Sequence, residues 1–133
     1  MPVYNGAEFL RPAVESILAQ TFADFELVLS DDGSKDDSRQ IIEEYARRDP
    51  RVVVSLAEHG GISVATNRAL QIARGEYFAP MDQDDIALPN RPTVVFTLYS
   101  KLHGVPNQLT SYEDIYLSRI LSVRRLQHHV TFY

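Results

Sequence analysis

Residues 7–81 alternate between two hydrophobic patterns. Three short apolar runs, rich in β-branched and aromatic residues, have the length of buried strands. They span residues 25–29, 51–56 and 77–81. Three other segments repeat their apolar residues at helical spacing. They span residues 7–20, the stretch between Ser34 and Asp49, and residues 63–74. Elements that alternate in this way predict an α/β fold, a mostly parallel sheet with flanking crossover helices.

Both ends of the chain depart from this pattern. A sheet of this class normally begins with a strand, but the sequence opens on Met1-Pro2-Val3-Tyr4-Asn5, which predicts a turn with almost no strand before it. We therefore expect a sheet that is incomplete at both ends, with unpaired backbone groups on the neighbouring strands. After Arg91 the periodicity is irregular, although residues 112–130 align as one helix. We divide the chain into an α/β part, residues 1–91, and a divergent, mostly helical segment of unclear role, residues 92–133.

Composition and charge exclude several classes of function. The 133 residues suit one domain, and the net charge of −5 excludes broad binding to nucleic-acid phosphates, which needs concentrated Lys and Arg. The chain has no cysteine, so it has neither a disulfide nor a thiolate metal site. No apolar run approaches the roughly 20 residues that span a bilayer, and the first residues lack the features of a signal peptide. We expect a cytoplasmic protein, with peripheral contact at the inner face of the membrane still allowed.

Carboxylates follow two of the predicted strands. Asp82-Gln83-Asp84-Asp85 comes after the strand at 77–81, and Asp31-Asp32 comes after the strand at 25–29. The carboxyl ends of parallel strands meet at one edge of the sheet, where ligands bind in open α/β folds, so we expect one acidic crevice. Adjacent carboxylates repel one another, and a hard divalent cation, which prefers oxygen ligands, would offset this repulsion.

Six short segments occur in a fixed order over residues 1–91. They are Pro2-Val3-Tyr4-Asn5, Ser16-Ile17-Leu18-Ala19-Gln20-Thr21-Phe22, Asp31-Asp32-Gly33-Ser34, Gly60-Gly61-Ile62-Ser63 with Asn67, Gly75-Glu76-Tyr77 and Asp82-Gln83-Asp84-Asp85. Each segment alone is a weak signal, but together they resemble family 2 glycosyltransferases of the GT-A fold. The resemblance implies a Rossmann-like α/β domain in which residues 1–91 bind a nucleotide-sugar donor.

The resemblance also implies a reaction, the transfer of a sugar from a nucleotide-diphosphate donor to a carbohydrate or lipid-linked acceptor, usually with inversion. In such enzymes Pro2-Val3-Tyr4-Asn5 would enclose the base and the ribose, with Tyr4 stacked on the base. Asp32, together with Asp31, would hydrogen-bond the base, which is often uracil. Asp31 and Asp32 also fit an Asx-type turn that leads into a helix.

A divalent cation, Mn²⁺ or Mg²⁺, belongs to the same resemblance. Asp82 matches the first acid of the DXD motif, which approaches the ribose or the metal, and Asp84 matches the last acid, which ligates the metal. Asn67 matches a donor-site residue, and a role in bracing its loop is equally compatible. Thr66 and Ala69 stand where the family more often has Arg and Gly, so we expect the local donor contacts to differ.

The acceptor side of the resemblance is shortened. The only nearby acid pair is Glu113-Asp114, which resembles the family's Glu-Asp motif but follows Asp85 much sooner than the family's spacing requires. We take Asp114 and Glu113 as the candidate catalytic residues, because an acceptor hydroxyl needs a general base. The first turn of a helix, where acids are favoured, explains the same two residues without catalysis.

Two other functions are compatible with parts of the sequence. A chain that retains only the donor-binding motifs would bind nucleotide without transferring sugar, and exposed strand edges would allow it to form oligomers. A phosphoacceptor signalling domain also gathers acids at strand ends. Such a domain needs a lysine in its acidic pocket, and neither Lys35 nor Lys101 follows a convincing late strand. His59, which precedes two glycines, is interpreted as a residue of the loop surface.

Overall fold

The computed structural model describes residues 1–75, 77–89, 99–100 and 129–133. Within these residues the helices are α1 (Ala7–Leu18), α2 (Ser38–Arg48) and α3 (Ile62–Ile72). The strands are β1 (Pro2–Val3), β2 (Phe25–Asp32), β3 (Val52–Ala57), β4 (Tyr77–Ala79), β5 (Tyr99–Ser100) and β6 (Val130–Phe132). The alternating helices and strands expected between residues 7 and 81 are thus present, with small shifts in their boundaries.

A mostly parallel sheet carries these elements, as the sequence predicts. β2 lies at its centre and pairs in parallel with β3 on one side. On its other side β2 pairs in parallel with both β1 and β6. β6 in turn pairs in parallel with β4, and β5 adds an antiparallel strand to β4. The carboxyl ends of β1, β2 and β4 therefore meet at the same edge of the sheet.

β6 and β1 lie end to end along one side of β2. Val130 and Phe132 pair with Phe25 and Leu27, and Pro2 pairs with Ser30. Val28 and Leu29 of β2 separate the two pairings. On the neighbouring side, Tyr133 and Met1 fill the same two positions between Phe132 and Pro2. The register is therefore continuous across both chain ends. At the junction of β6 and β1, the Met1 amino group donates a hydrogen bond of 2.7 Å to the Val28 carbonyl oxygen.

This arrangement corrects one expectation. The first strand is as short as predicted, but its neighbours are not left unpaired. β6 fills the place beside residues 25–27 of β2 and pairs with β4 on its other side, so both neighbours have hydrogen-bonding partners there. An oligomer built through this particular gap in the sheet is therefore not supported.

The helices cover both faces of the sheet. Leu10, Val14 and Ile17 of α1 are buried, and together with apolar residues of α2 they pack on the face that carries Leu27 and Leu29. The opposite face packs on α3 in a smaller cluster. Its buried members are Val28, Ala69, Ala73, Phe78 and Tyr133. Alternate residues of β2 thus face opposite layers, as the two-residue period of a strand requires.

β6 is anchored by aromatic contacts on both of these faces. Phe132 is fully buried and packs edge-on against Phe25, with ring centroids 5.3 Å apart. Tyr133, which follows the strand, packs edge-on against Phe78 with centroids 6.0 Å apart. Edge-to-face geometry at these distances is favourable for aromatic pairs. The short strand therefore contributes to the core on both sides of the sheet.

A buried carboxylate ties β2 and β6 to the segment between α3 and β4. Glu26 of β2 is only 1% exposed. Its carboxylate accepts hydrogen bonds from the backbone N–H and Nε of Arg74, from Gly75 N at 3.2 Å and from Thr131 Oγ1 at 2.8 Å. Burial alone would raise the pKa of Glu26, but the hydrogen bonds from Arg74 and Thr131 outweigh it and lower the pKa below its ordinary value. Glu26 is therefore held as a carboxylate.

The segment after residue 91 is described only in part. Residues 112–128 of the expected helix lie outside the described residues, as does most of the expected mostly helical segment, residues 92–133. Val130, the last residue of that expected helix, belongs instead to β6. Across the described ranges, none of the helices has the length and apolar character needed to cross a membrane.

Candidate functional site

A cavity of about 340 Å³ opens at the carboxyl ends of β1, β2 and β4. Two short segments form its walls, residues 2–4 after the start of the chain and residues 82–84 after β4. Asp32, His59, Ile62 and Ala65 complete the lining. The structure therefore brings Asp32, Asp82 and Asp84 to one cavity, together with Pro2, Val3 and Tyr4, as the sequence predicts. Their roles in binding stay predictions.

Three other predicted site residues do not line this cavity. Asp31 is buried, and its carboxylate accepts a hydrogen bond from Ser34 N at 3.3 Å, which closes the turn after β2. Asn5 Oδ1 accepts a hydrogen bond of 2.8 Å from Lys35 N, which joins the opening segment to the same turn. Asn67 lies half-buried on α3. Asp31 and Asn5 thus support the walls of the site, and donor contacts by all three residues stay predictions.

The candidate general base cannot be placed. Glu113 and Asp114 both lie outside the described residues. Their assignment as catalytic residues therefore stays a prediction from the sequence.

Gln83 connects the two walls of the cavity. Its Oε1 accepts a hydrogen bond of 2.9 Å from Tyr4 N, and its Nε2 donates one of 3.3 Å to the Tyr4 carbonyl oxygen. A Cβ at Gly6 would overlap the Gln83 amide, so a larger residue there would displace this amide from Tyr4. The sequence analysis did not single out Gln83, although its position between two acids of the DXD segment was a usable signal.

Asp32 accepts three hydrogen bonds on its carboxylate, from the loop before α3 and from α3 itself, and the His59 ring lies beside it. Its Oδ1 accepts hydrogen bonds from Gly60 N at 2.9 Å and Arg68 Nη1 at 3.1 Å. Its Oδ2 accepts one from Gly61 N at 2.7 Å and lies 2.8 Å from His59 Nδ1. A carboxylate offers about four lone-pair positions. Three of these positions are therefore used by hydrogen bonds within the protein, and the His59 imidazole lies against the remaining side of the carboxylate.

His59 also contacts Tyr4. The two rings stack with centroids 4.2 Å apart and planes inclined by 27°. His59 Nδ1 lies 2.8 Å from Asp32 Oδ2 and 3.2 Å from the Asp32 carbonyl oxygen. Both neighbours are acceptors, so Nδ1 carries a proton. The side chain is exposed, as the sequence predicts, but its place in the cavity lining was missed because loop geometry brings it to Tyr4.

The amino group of Met1 lies close to the acidic wall. Burial lowers its pKa well below the ordinary value of 8.0, and attraction to the Asp82 carboxylate opposes this shift. The Asp82 carboxylate therefore acts on the Met1 amino group as well as lining the cavity.

The donor set fits a divalent cation that arrives with a phosphorylated ligand. In the part of the chain that the structure describes, no group of three or more His, Cys, Asp or Glu side chains is arranged to hold a metal. Asp82 is half-buried and Asp84 is exposed, and both line the cavity. Mg²⁺ is commonly bound by one or two carboxylates, with waters and phosphate oxygens completing its shell. Asp82 and Asp84 fit a site of this type, in which one or two carboxylates and the phosphate oxygens of a ligand share the cation.

Comparisons with known proteins agree with this arrangement. The model of the family described as "Glycosyl transferase family 2" matches residues 1–105, so the match continues past residue 91. Among curated proteins, glycosyltransferase GlyG of Streptococcus pneumoniae serotype 4 is 39% identical over 103 residues, which are 77% of this chain and 33% of GlyG.

Two solved structures share the fold. S. aureus TarS 1–349, in complex with UDP, aligns with a TM-score of 0.63 at 32% identity, covering 68% of this chain and 28% of TarS. The mannosyltransferase PcManGT from Pyrobaculum calidifontis, in complex with GDP-Man and Mn²⁺, aligns with a TM-score of 0.59 at 29% identity, covering 69% of this chain and 28% of PcManGT. These similarities confirm the GT-A type of α/β fold.

The chain spans about a quarter to a third of the length of the curated relatives that it matches first. The family match, by contrast, covers more than half of this chain. The chain therefore belongs to glycosyl transferase family 2.

Proposed function

We propose that this chain binds a nucleotide-diphosphate sugar in the cavity and takes part in transfer of the sugar to an acceptor hydroxyl. The observation that carries the proposal is the meeting of Tyr4, Asp32, Asp82 and Asp84 around one cavity of about 340 Å³. An aromatic ring and a carboxylate at one end suit a nucleobase. Two carboxylates at the other end suit a cation and the diphosphate that it neutralises.

The solved relatives support the class of ligand. TarS was crystallised with UDP, and PcManGT is a complex with GDP-Man and Mn²⁺. By analogy, the base and ribose lie against Pro2-Val3-Tyr4 and Asp32, and the diphosphate lies toward Asp82 and Asp84. We favour a uridine diphosphate sugar, since Asp32 suits a base with a ring N–H.

The cation would supply charge neutralisation at the departing diphosphate, which is the main chemical demand of this reaction. Asp82 and Asp84 would hold it. Asp82 is the more buried of the two, and the exposed Asp84 is therefore the residue whose removal disturbs the fold least. Inversion at the anomeric carbon follows from the family resemblance alone.

The acceptor side belongs to the same proposal. Asp114, with Glu113 as the second candidate, would take the proton from the hydroxyl of a carbohydrate or lipid-linked acceptor. A cytoplasmic site, with access to the inner face of the membrane, fits a nucleotide-sugar donor.

Calorimetry with UDP tests the donor and metal parts of the proposal. UDP is expected to bind the wild-type chain more tightly when Mn²⁺ or Mg²⁺ is present, and Asp84→Ala should abolish that gain while the melting temperature stays nearly unchanged. Asp85→Ala is the matched control, since Asp85 is the adjacent exposed carboxylate and does not line the cavity. Equal metal-dependent binding by Asp84→Ala and wild type would contradict the assignment of Asp84.

A second function, donor binding without transfer, is supported by the cavity itself, because the residues that line it all belong to the predicted donor-binding part, residues 1–91. Incubation of the chain with UDP-sugars, a panel of saccharide acceptors and Mn²⁺ separates the two. Release of UDP that depends on an acceptor supports transfer by this chain. Metal-dependent UDP binding without any such release supports the donor-binding function instead.

A further inference from the structure

We propose that His59 occupies the nucleobase position of the donor site and is displaced when the nucleotide enters. This inference rests on the proposed function, and it adds a residue that controls the affinity and base selectivity of the same cavity. Three observations carry it: the stack on Tyr4, the approach of the His59 ring to the Asp32 carboxylate, and the three hydrogen bonds that this carboxylate already accepts.

His59 makes both contacts that the proposed base would make. Its ring lies on the Tyr4 ring at 4.2 Å between centroids, the arrangement of a stacked base. Its Nδ1 lies 2.8 Å from Asp32 Oδ2, in the place where the ring N–H of a base would approach, and 3.2 Å from the Asp32 carbonyl oxygen. A nucleobase that adopted the proposed contacts would therefore meet the imidazole in its place.

Protein groups surround the Asp32 carboxylate, so a base can approach it only where one of these groups leaves. Gly60 and Gly61 donate through their backbone N–H groups, and Gly61 directly precedes α3 with a φ of +89°, which fixes this turn. The side chain of Arg68 extends from α3, is 27% exposed and also donates to the Glu58 carbonyl oxygen at 3.1 Å. These three donors are held by the fold itself.

His59 is the donor that is free to exchange. Its side chain is 57% exposed, about twice the exposure of the Arg68 side chain. Its ring contacts are the Tyr4 face and the Asp32 oxygens. Rotation of this one side chain into solvent therefore vacates both the ring face and one lone pair of Oδ2, without moving the backbone.

The exchange favours bases with a ring N–H. Uracil offers N3–H beside two carbonyl groups and replaces the imidazole N–H one for one. Adenine and cytosine present an unprotonated ring nitrogen at that edge, which would face the Asp32 carboxylate with like polarity. The site is therefore expected to prefer uridine diphosphate over adenosine and cytidine diphosphates.

Removal of the imidazole should strengthen nucleotide binding. A ligand that must first displace a side chain binds with an affinity reduced by the fraction of molecules in which the site is already vacant. For a stacked and hydrogen-bonded ring, that reduction is about three- to tenfold. His59→Ala is therefore expected to bind UDP about three- to tenfold more tightly than wild type, with no gain for pyrophosphate, which has no base.

Calorimetric titration of the full chain in the presence of Mn²⁺ tests this, with UDP and pyrophosphate as probes. His129→Ala is the matched control: it makes the same substitution at the amino edge of the sheet, where His129 Nδ1 contacts Asp24 at 2.7 Å. A gain for UDP alone in His59→Ala, absent in His129→Ala, supports the proposal. Unchanged or weaker UDP binding by His59→Ala overturns it, as does an equal gain for pyrophosphate.

The outcomes distinguish this proposal from the proposed function. Metal-dependent UDP binding by wild type, together with weaker binding by His59→Ala, would leave the donor site standing and overturn only the displacement. Absence of UDP binding in both proteins would overturn both proposals.

A measurement on the wild-type chain covers the case in which His59→Ala does not fold. Proton NMR should show a nuclear Overhauser contact between the rings of Tyr4 and His59, because their centroids lie 4.2 Å apart. Saturation with UDP and Mg²⁺ should abolish that contact if the base takes the place of His59. Persistence of the contact in the saturated protein overturns the displacement.

Discussion

The side-chain amide of Gln83 pairs with the backbone of Tyr4 through two hydrogen bonds, one accepted at 2.9 Å and one donated at 3.3 Å. The two residues are 79 positions apart in the sequence. The bonds join the wall proposed to hold the base to the wall proposed to hold the cation. The two ends of a bound nucleotide diphosphate would therefore be positioned by one connected structure.

Gln83→Ala is expected to weaken metal-dependent UDP binding because it uncouples these two walls. Loss of two hydrogen bonds at a half-buried site costs about 0.5–1.5 kcal/mol for each bond, which corresponds to a decrease in affinity of about two- to tenfold if half of that cost appears in binding. Calorimetry with UDP and Mn²⁺ measures the change. Gln40→Ala, at an exposed position of α2, is the matched control and should bind as wild type does. Equal affinities of the two variants would show that the Gln83 contacts do not organise the site.

Phe132→Ala is expected to destabilise the protein strongly, because Phe132 is fully buried and packs on Phe25. Truncation of a buried Phe to Ala typically costs about 3–5 kcal/mol. Phe9→Ala changes the same side chain at a position that is 50% exposed on α1, so its effect should be far smaller. Urea unfolding of the three proteins gives both differences. Phe132→Leu provides a milder change if the alanine variant is unfolded, and a cost no larger than that of Phe9→Ala would place β6 outside the sheet in solution.

The sequence could predict the α/β class and the meeting of the acids, because both follow from local patterns. Apolar runs alternating with helical periods specify parallel strands, and the carboxyl ends of parallel strands share one edge. The meeting of Asp32 and Asp84 at one cavity could therefore be predicted without any knowledge of side-chain contacts. The same argument says nothing of Asn5 or Asp31, which serve the turn between the walls.

The sequence could not predict β6 or the surroundings of Glu26, because both depend on distant contacts. A three-residue strand is too short to show a period, and β6 is held by partners such as the Thr131–Glu26 bond, which joins residues 105 positions apart. A glutamate within an apolar run indicates an exposed or edge position by pattern alone. The ion pair with Arg74, which is distant in the sequence, explains why Glu26 is buried and charged. The contact of His59 with Tyr4 is missed for the same reason.

Glu26→Gln is expected to remove a pH-dependent contribution to stability. The folded-state pKa of Glu26 lies below its ordinary value of 4.5, because the hydrogen bonds from Arg74 and Thr131 outweigh the opposing effect of burial. The folded protein therefore binds fewer protons at this group than the unfolded chain does. The stabilisation is fully present above the ordinary pKa, and it is lost as the pH falls through the lower folded-state pKa.

Urea unfolding between pH 7 and pH 3 measures this contribution. At pH 7, Glu26→Gln should lower the free energy of unfolding by about 1–3 kcal/mol. The reason is that the NH₂ group of the glutamine would face hydrogen-bond donors, whereas both oxygens of the carboxylate accept hydrogen bonds from them. The difference between wild type and Glu26→Gln should shrink once the pH falls below the ordinary pKa, since the unfolded wild-type chain then binds a proton that the folded protein takes up only at lower pH. Glu58→Gln, at an exposed loop position, should track wild type at every pH. A difference between wild type and Glu26→Gln that stays constant down to pH 3 would contradict the charged state of Glu26, and it would show that the carboxyl group links β2, β6 and the segment before β4 as a neutral hydrogen-bonding group.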